Sequence, residues 1–340
     1  MRLLVLGGTR FVGRSVVEEA LRRGALVTTL HRGITGSPAA GVRRIQVDRR
    51  DPAALATALG DGRWDAVVDT WSGAPAVVRE SARLLRNRVG HYGYVSSRSV
   101  YRWPFPLGID ENAPVVDGDP TSHEQHDYAA AKRGAELAVL EAVSGRALLA
   151  RAGLILGPYE DVGRLPWWLE RLSRGDRVPA PGPAERTLQY IDARDLAAWM
   201  LDAAERGLSG TFNTVSRPGH ATMGQLLDAC NDAVGQGAEL VWLPPEAVQA
   251  AGVTGWVDLP IWVPPTGELA GLHDGDVSAA YDEGLSCRPV QDTVADTWRW
   301  LRTAGHLEPR GDRPPLGLAP EVELALTAAA DAAAQAGPRK

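Results

Sequence analysis

Six short apolar runs, separated by longer segments of helical period, fill the first 155 or so residues, and this alternation constrains the fold more than any other feature. LLVLG, ALVTTL, RRIQV, DAVVDT, HYGYVS and RALLARAGLIL read as strands, and VGRSVVEEALRRG, DPAALATALG, APAVVRESARLLRNR and SHEQHDYAAAKRGAELAVLEAV as helices. Strand and helix in alternation make βαβ units, and their right-handed crossovers build a parallel, doubly wound sheet with helices on both faces. In the last and longest helical segment, Ser122 with Gln125 three residues on fits a capping box that would start the helix.

Beyond residue 155 the alternation loosens. Proline-rich stretches (PAPGP, LPPEAV, DLPIWVPPTGE) mix with helical segments such as ARDLAAWMLDAAERG and MGQLLDACNDAVG. The expected organisation is an α/β chain: residues 1–155, with a returning segment near 187–215, form the sheet domain. Residues 156–186 and 216–304 form a smaller irregular substrate-binding cap, and 305–340 a Pro/Ala-rich tail with room for one helix. No run of about 18 apolar residues is present and the N-terminal run has strand length, so neither a membrane span nor a secretion signal is expected and the location follows as cytoplasmic. The two cysteines, Cys230 and Cys287, make no disulfide framework and no metal-ligand spacing. A net charge of -6 argues against a nucleic-acid partner. Eleven tryptophans against three phenylalanines, several in expected loops, point to an aromatic-lined pocket.

The first strand runs into Gly7 and Gly8, and a helix starts near Phe11, which contains Gly13. A glycine turn at a helix N-terminus presents free N–H groups and the positive end of the helix dipole, a site for a pyrophosphate. Gly7, Thr9, Arg10, Phe11, Val12 and Gly13 are therefore candidate cofactor contacts in a Rossmann-type doubly wound sheet, although the spacing departs from G-x-G-x-x-G. The second strand ends VTTLHRG: where an acid would receive the ribose hydroxyls of NAD stand His31 and Arg32. With no carboxylate there to repel a 2′-phosphate, and with Arg10 able to join Arg32 in a two-arginine clamp, NADP is expected, with NAD as the alternative. Arg10 has a second reading, in which it covers the adenine or pairs with a surface carboxylate.

Tyr128 and Lys132 stand four apart on the long helix, hence on one face. A phenol has a pKa near 10, and a cation one turn away favours its ionised form, bringing proton transfer toward neutral pH. The strand HYGYVS ends in SSRSVY at the carboxyl edge, where a serine hydroxyl can hold a substrate oxygen.

At this point the chain resembles an extended short-chain dehydrogenase/reductase of the NAD-dependent epimerase/dehydratase family, over residues 1 to 304. LGGTRFVG is similar to the glycine fingerprint, YVSSRSVY to the serine strand, DYAAAK to the Tyr/Lys helix, RAGLILGPY to the strand past it, RTLQYIDARDLA to the arginine-to-aspartate signature and RPVQDTVADTWRWL to the closing helix. The resemblance implies Ser97 as hydrogen-bond donor to the reacting oxygen, with Ser96 and Ser99 as rivals. It implies Tyr128 as general acid/base and Lys132 as the residue that lowers the tyrosine pKa and holds the nicotinamide ribose. VDRRD resembles the adenine loop, which implies Asp48 with the adjacent Arg49, and DAVVDTWSG implies Thr70, Trp71 and Ser72 against the cofactor. Arg186 stands where sugar-nucleotide members bind a diphosphate, with an ion pair to a cap carboxylate as its other reading; Trp103 and Trp167 are further candidate substrate contacts. A homodimer through the Tyr/Lys helix is also implied.

Two departures matter. Arg10 replaces the middle glycine, as in a divergent branch that includes chloroplast stem-loop RNA-binding relatives, and Arg98-Ser99 stands where 4,6-dehydratases carry Asp-Glu. The reading that follows is an NAD(P)-dependent reductase or dehydrogenase acting on a ketone or secondary alcohol of a small, hydrophobic metabolite. Its alternatives are a nucleotide-sugar epimerase with tightly bound NAD and a non-catalytic cofactor-sensing or RNA-binding protein.

Overall fold

A computed structural model of the chain describes residues 1–34, 36, 39–305 and 315–336. The apolar runs become β1 (Arg2–Leu6), β2 (Leu26–His31), β3 (Arg43–Gln46), β4 (Trp64–Asp69), β5 (Val89–Ser97) and β6 (Ala147–Ala152). Among them lie α1 (Phe11–Arg22), α2 (Pro52–Leu59), α3 (Pro75–Leu85) and α4 (Tyr128–Ala142). Then follow β7 (Leu154–Leu156), α5 (Arg164–Leu172), β8 (Arg177–Pro181), β9 (Thr187–Leu188), β10 (Tyr190–Asp192), α6 (Ala193–Arg206), β11 (Gly210–Thr214) and β12 (Ala221–Thr222). The chain continues through α7 (Met223–Val234), β13 (Glu239–Leu243), α8 (Pro245–Ala250), α9 (Ser278–Asp282), α10 (Val290–Ala304) and α11 (Pro320–Ala336).

Seven strands form one parallel sheet in the order β11-β6-β5-β4-β1-β2-β3. Its central strands show no polar alternation because both faces are covered: Leu3, Leu4 and Val5 are consecutive and all fully buried. Val16, Val17 and Ala20 of α1 with Leu196, Ala197 and Met200 of α6 cover one face. Val78, Ala82 and Leu85 of α3 with Ala135, Ala138 and Val139 of α4 cover the other. Because β1 lies between β2 and β4, the strand order reverses there and a crevice opens at the carboxyl ends, where doubly wound sheets hold ligands.

Two local expectations are corrected. RALLARAGLIL is not one strand: it breaks at Gly153, where an added Cβ would meet the Val215 side chain at 2.6 Å, and β7 leaves the sheet to pair with β10. The long helix does not start at Ser122. It begins at Tyr128, capped by Asp127, whose Oδ1 accepts from the Ala130 N–H at 3.0 Å, while Ser122 Oγ only closes a local turn with the Glu124 N–H. Asp127, directly ahead of YAAAK, is as good a cap residue as Ser122 and stands where the helix starts. A reciprocal capping box does occur at α7, between Thr222 and Gln225.

The cap has its own core, with Trp168 and Trp262 fully buried among residues of α5, α7 and α10. The described part of the tail joins it. Leu326 of α11 is buried there, Glu323 pairs with Arg171 at 2.6 Å, and Asp331 takes both Arg177 Nη groups at 2.8 Å. Residues 306–314 and 337–340 of the expected tail lie outside the described residues.

Helix α5 starts behind Gly163 without a capping side chain of its own. The carboxylate of Glu160 takes that place, accepting from the Arg164 N–H at 2.7 Å and the Leu165 N–H at 3.3 Å. Burial pushes the Glu160 carboxyl up to about 7, against the pull of Arg164 and of those backbone donors. A folded-state pKa raised above the ordinary 4.5 means that the folded chain holds the proton more tightly. The stabilisation is full below about 4.5 and is lost as pH rises through about 7. Buried His273, pushed down to about 4, works in the opposite sense, adding stability between about 4 and 6.5. The difference between wild type and Glu160→Gln therefore isolates the carboxyl: thermal melts are expected to show the wild type losing stability relative to the variant from about pH 5 to 7, by up to about 3 kcal/mol. Gly13→Ala, whose Cβ would meet the Gly8 backbone nitrogen at 2.7 Å, is expected to cost about 1–3 kcal/mol in chemical denaturation and to weaken nucleotide binding, since backbone cannot yield as a side chain does.

Candidate active site

A cleft of about 890 Å³ opens over the carboxyl ends of β1, β4 and β5, between the sheet and the cap. On the sheet side its wall includes Phe11, Arg32, Trp71, Ser72, Ser97 and Tyr128; on the cap side it includes Asp161, Arg164, Gln189, Trp256 and His273.

The glycine turn is built by close approach. Gly7 has φ +125° and faces the Thr70 hydroxyl, where a Cβ would sit at 2.6 Å; that hydroxyl in turn donates to the Leu6 carbonyl at 3.1 Å. Thr70 thus props the turn, and Thr9 packs at Gly36, on the far side of it. Phe11 begins α1 at φ +33°, a strained conformation for a bulky residue, and Val12 and Gly13 are buried beneath. Arg10, the residue before α1, makes no side-chain cap, so the first N–H groups of the helix stay available to an anion. Glycine packing, strain and uncapped donors together fit a dinucleotide pyrophosphate.

At the end of β2 the imidazole of His31 accepts from the Gly33 N–H, and burial beside Arg44 holds its pKa below the usual value. Arg32 lines the cleft, and so does Arg50, which sequence reasoning misses although VDRRD contains it. Arg50 chelates both oxygens of Asp48, holding that carboxyl below its ordinary range. Arg10 does not turn to Arg32: its Nη1 lies 3.4 Å from Asp161 on the cap, the pairing with a carboxylate that was its second reading. Arg49 is also relocated. Its guanidinium is buried, chelates Asp69 at 2.7 and 2.8 Å and donates to Ser81, so it braces β4 behind the wall of the cleft. A buried guanidinium needs such a partner, and losing either member of the pair costs about 3–5 kcal/mol.

The candidate proton-transfer residues come from two elements. Tyr128, 40 % exposed as the first residue of α4, stands on the cleft wall. One turn on, Lys132 is buried, and its ammonium donates to the Trp71 carbonyl at 2.8 Å and the Val95 carbonyl at 2.7 Å, 4.7 Å from the centre of the Tyr94 ring. Burial pushes its pKa down to about 8, against the attraction of Asp69 and Glu136. Of its three protons two are thus assigned and one remains. The neighbouring serines separate cleanly. Ser96 donates to Glu136 at 2.7 Å inside a buried network with Arg133 and Arg151, away from the cleft. Ser97 and Ser99 line the cleft, 3.1 Å apart through their hydroxyls.

The expected substrate contacts fare differently. Trp103 is 43 % exposed and stacked on Phe105, and Trp167 packs edge-on against Trp168 and beside Gly317; neither is on the cleft wall. Arg186 donates to the Ala270 carbonyl at 2.9 Å, with no ion pair to a cap carboxylate among the described residues. Among the described residues tryptophan reaches the cleft only as Trp71 and Trp256, with Phe11 and Tyr128 as further rings, and Arg32, Arg50, Arg98 and Arg164 stand on the same wall, so it is cationic as well as aromatic. Most of the other tryptophans serve the core, as bulky apolar residues do. His126 reaches the cleft beside Glu124. Among the described residues no group of three metal-ligating side chains occurs, and no helix is long and apolar enough to cross a membrane.

The architecture is that of known nucleotide-dependent enzymes. The Bordetella bronchiseptica enzyme WbmH, solved in complex with NAD+, superposes with a TM-score of 0.68 at 18% identity, over 90% of this chain and 99% of that one. The UDP-glucose 4-epimerase of Thermus thermophilus, solved with NAD, gives 0.63 at 22% identity over 90% and 100%. UDP-N-acetylglucosamine 4-epimerase from Bacillus cereus gives 0.64 at 18% identity over 89% and 99%. At such identities the likeness is one of fold. No curated protein matches the chain in sequence. Residues 3–214, which hold the glycine turn, the serine strand and the Tyr/Lys helix, match the model of the NAD dependent epimerase/dehydratase family, and the chain belongs to that family, among the extended short-chain dehydrogenases/reductases.

Proposed function

We propose that the protein is an NADP-linked oxidoreductase that interconverts a ketone and a secondary alcohol on a small molecule and exchanges its cofactor at each turnover. One observation carries the reading: Tyr128 and Ser97 open on the same cleft, while Lys132, one helical turn behind, holds a buried ammonium. The nicotinamide, when bound, supplies or accepts the hydride. Ser97 holds the reacting oxygen by a hydrogen bond, and Tyr128 Oη gives it a proton in reduction or takes one in oxidation. Lys132 favours the phenolate electrostatically, and its third proton is the donor for the ribose. The uncapped N-terminus of α1 takes the pyrophosphate.

The preference for NADP rests on the end of β2. Arg32 and Arg50 stand on the wall there, and Arg50 pairs with the Asp48 carboxylate. The arginines on the wall support a polar substrate over the wholly hydrophobic one that the tryptophan count suggests. A second reading, a nucleotide-sugar epimerase that retains NAD, uses the same Ser, Tyr and Lys. Arg186, whose Nε is buried without a partner, favours it.

Mass spectrometry of the nucleotide released on denaturation separates the two. NADP or an empty site supports the exchange enzyme, and stoichiometric NAD overturns it in favour of the epimerase. Tyr128→Phe is expected to lower kcat by about 10²–10⁴-fold while leaving the cofactor Kd unchanged; unchanged turnover would remove Tyr128 from the chemistry. Arg32→Ala is expected to weaken NADPH by about tenfold and NADH hardly at all, as titrated by fluorescence. In the reducing direction the rate is expected to fall as pH rises through about 8, where Lys132 gives up its proton and the cation is lost.

A further inference from the structure

Arg98 follows Ser97 directly and belongs to the cleft wall, yet its guanidinium is only half used. The residue is 3 % exposed. Its Nη1 donates to Gln189 Oε1 and to the Leu272 carbonyl, both at 3.1 Å, while Nε and Nη2 are sealed from solvent with no hydrogen-bond partner. Among the described residues it forms no ion pair, and Asp274 and Glu111 act on it only at longer range. Burial lowers its pKa to about 10, so the charge persists at neutral pH.

The surroundings are built to keep this group in place. Gly275 lies against it, where a Cβ would collide with Nη2, so a side chain there would displace the guanidinium. Gln189 is itself fixed: its amide donates to the Ser216 and Gly275 carbonyls, and its oxygen also accepts from the Gly275 N–H. Buried donors left unmade cost about 1–3 kcal/mol, more on a charged group. Nε and Nη2 are, moreover, the two donors along one edge of the planar guanidinium, the edge that meets a carboxylate in two parallel hydrogen bonds.

We propose that the substrate carries a carboxylate and that this group docks side-on against the Nε–Nη2 edge of Arg98, beside Ser97. The proposal rests on the oxidoreductase reading above and names its substrate class: an oxo acid or hydroxy acid whose reacting carbon lies apart from the acid. Because both donors are sealed and Gly275 lies against Nη2, docking requires the segment that carries Gly275 to move aside.

The test uses the full chain saturated with NADP+ and a matched pair of ring ketones, 4-oxocyclohexanecarboxylate and its carboxamide, titrated by calorimetry. The acid is expected to bind wild type about tenfold more tightly than the amide, and Arg98→Met to bring the two within about twofold, with NADP+ affinity unchanged as the check on folding. Arg98→Lys, which keeps the charge and loses the paired edge, is expected to lose most of the preference and serves where the methionine variant does not fold. Equal binding of acid and amide to wild type, no binding of the acid, or an acid preference that survives both variants overturns the proposal. NADPH oxidation with the same ketones is read separately. Acid preference without turnover overturns the oxidoreductase reading and leaves the Arg98 site standing, whereas turnover of both ketones at equal KM overturns the Arg98 site alone.

Discussion

The ammonium of Lys132 ties together the elements on which the cleft depends. Through the carbonyls of Trp71 and Val95 it joins the loop after β4, the end of β5 and the first turns of α4. These segments are far apart in sequence, and their backbone groups at a sheet edge would otherwise need other partners. Asp69 sits below, chelated by Arg49 and bonded by Tyr92, and adds a second buried charge to the same region. Taking an amine and a carboxylate out of water is costly, and the cost is offset because each meets several fixed partners. The result is a rigid floor on which Trp71, Ser97 and Tyr128 keep fixed positions, the kind of preorganisation that proton transfer between side chains requires.

The charge of the molecule is distributed unevenly around that floor. The chain as a whole is acidic, at -6, but the cleft between sheet and cap is lined by four arginines. Asp161 stands on the same wall and Asp48 pairs with Arg50, so the cationic excess there is partial. Arg10 pairs with Asp161, which places the glycine turn and the cap in electrostatic contact.

The parallel sheet was legible in the sequence because it leaves a strong imprint: runs such as RLLVL have no polar alternation only when both faces are covered. Gly7 and Ser97 were legible as candidate positions for a related reason, since they lie at the ends of strands, where the periodicity changes. What escaped depends on long-range pairing. Nothing local distinguishes Arg49, consumed by Asp69, from Arg50, which lines the cleft one residue later. Nor does a tryptophan count separate Trp168, which fills the cap core, from Trp256, which faces the cleft. The start of α4 was misplaced by a second cause: two competing cap signals, Ser122 and Asp127, lie within one segment, and only the tertiary position of Tyr128 decides between them.

The docking of α11 onto the cap bears on the order in which the chain can fold during synthesis. Chains emerge from the ribosome N-terminus first, and domains tend to fold as units. The sheet can close once β11 is out, but the cap core lacks Leu326, and Arg171 and Arg177 lack their carboxylates, until residues 320–336 have been translated. During that interval the cleft has one finished wall and one unfinished wall. The nascent protein therefore completes the wall that carries the glycine turn before the wall that faces it.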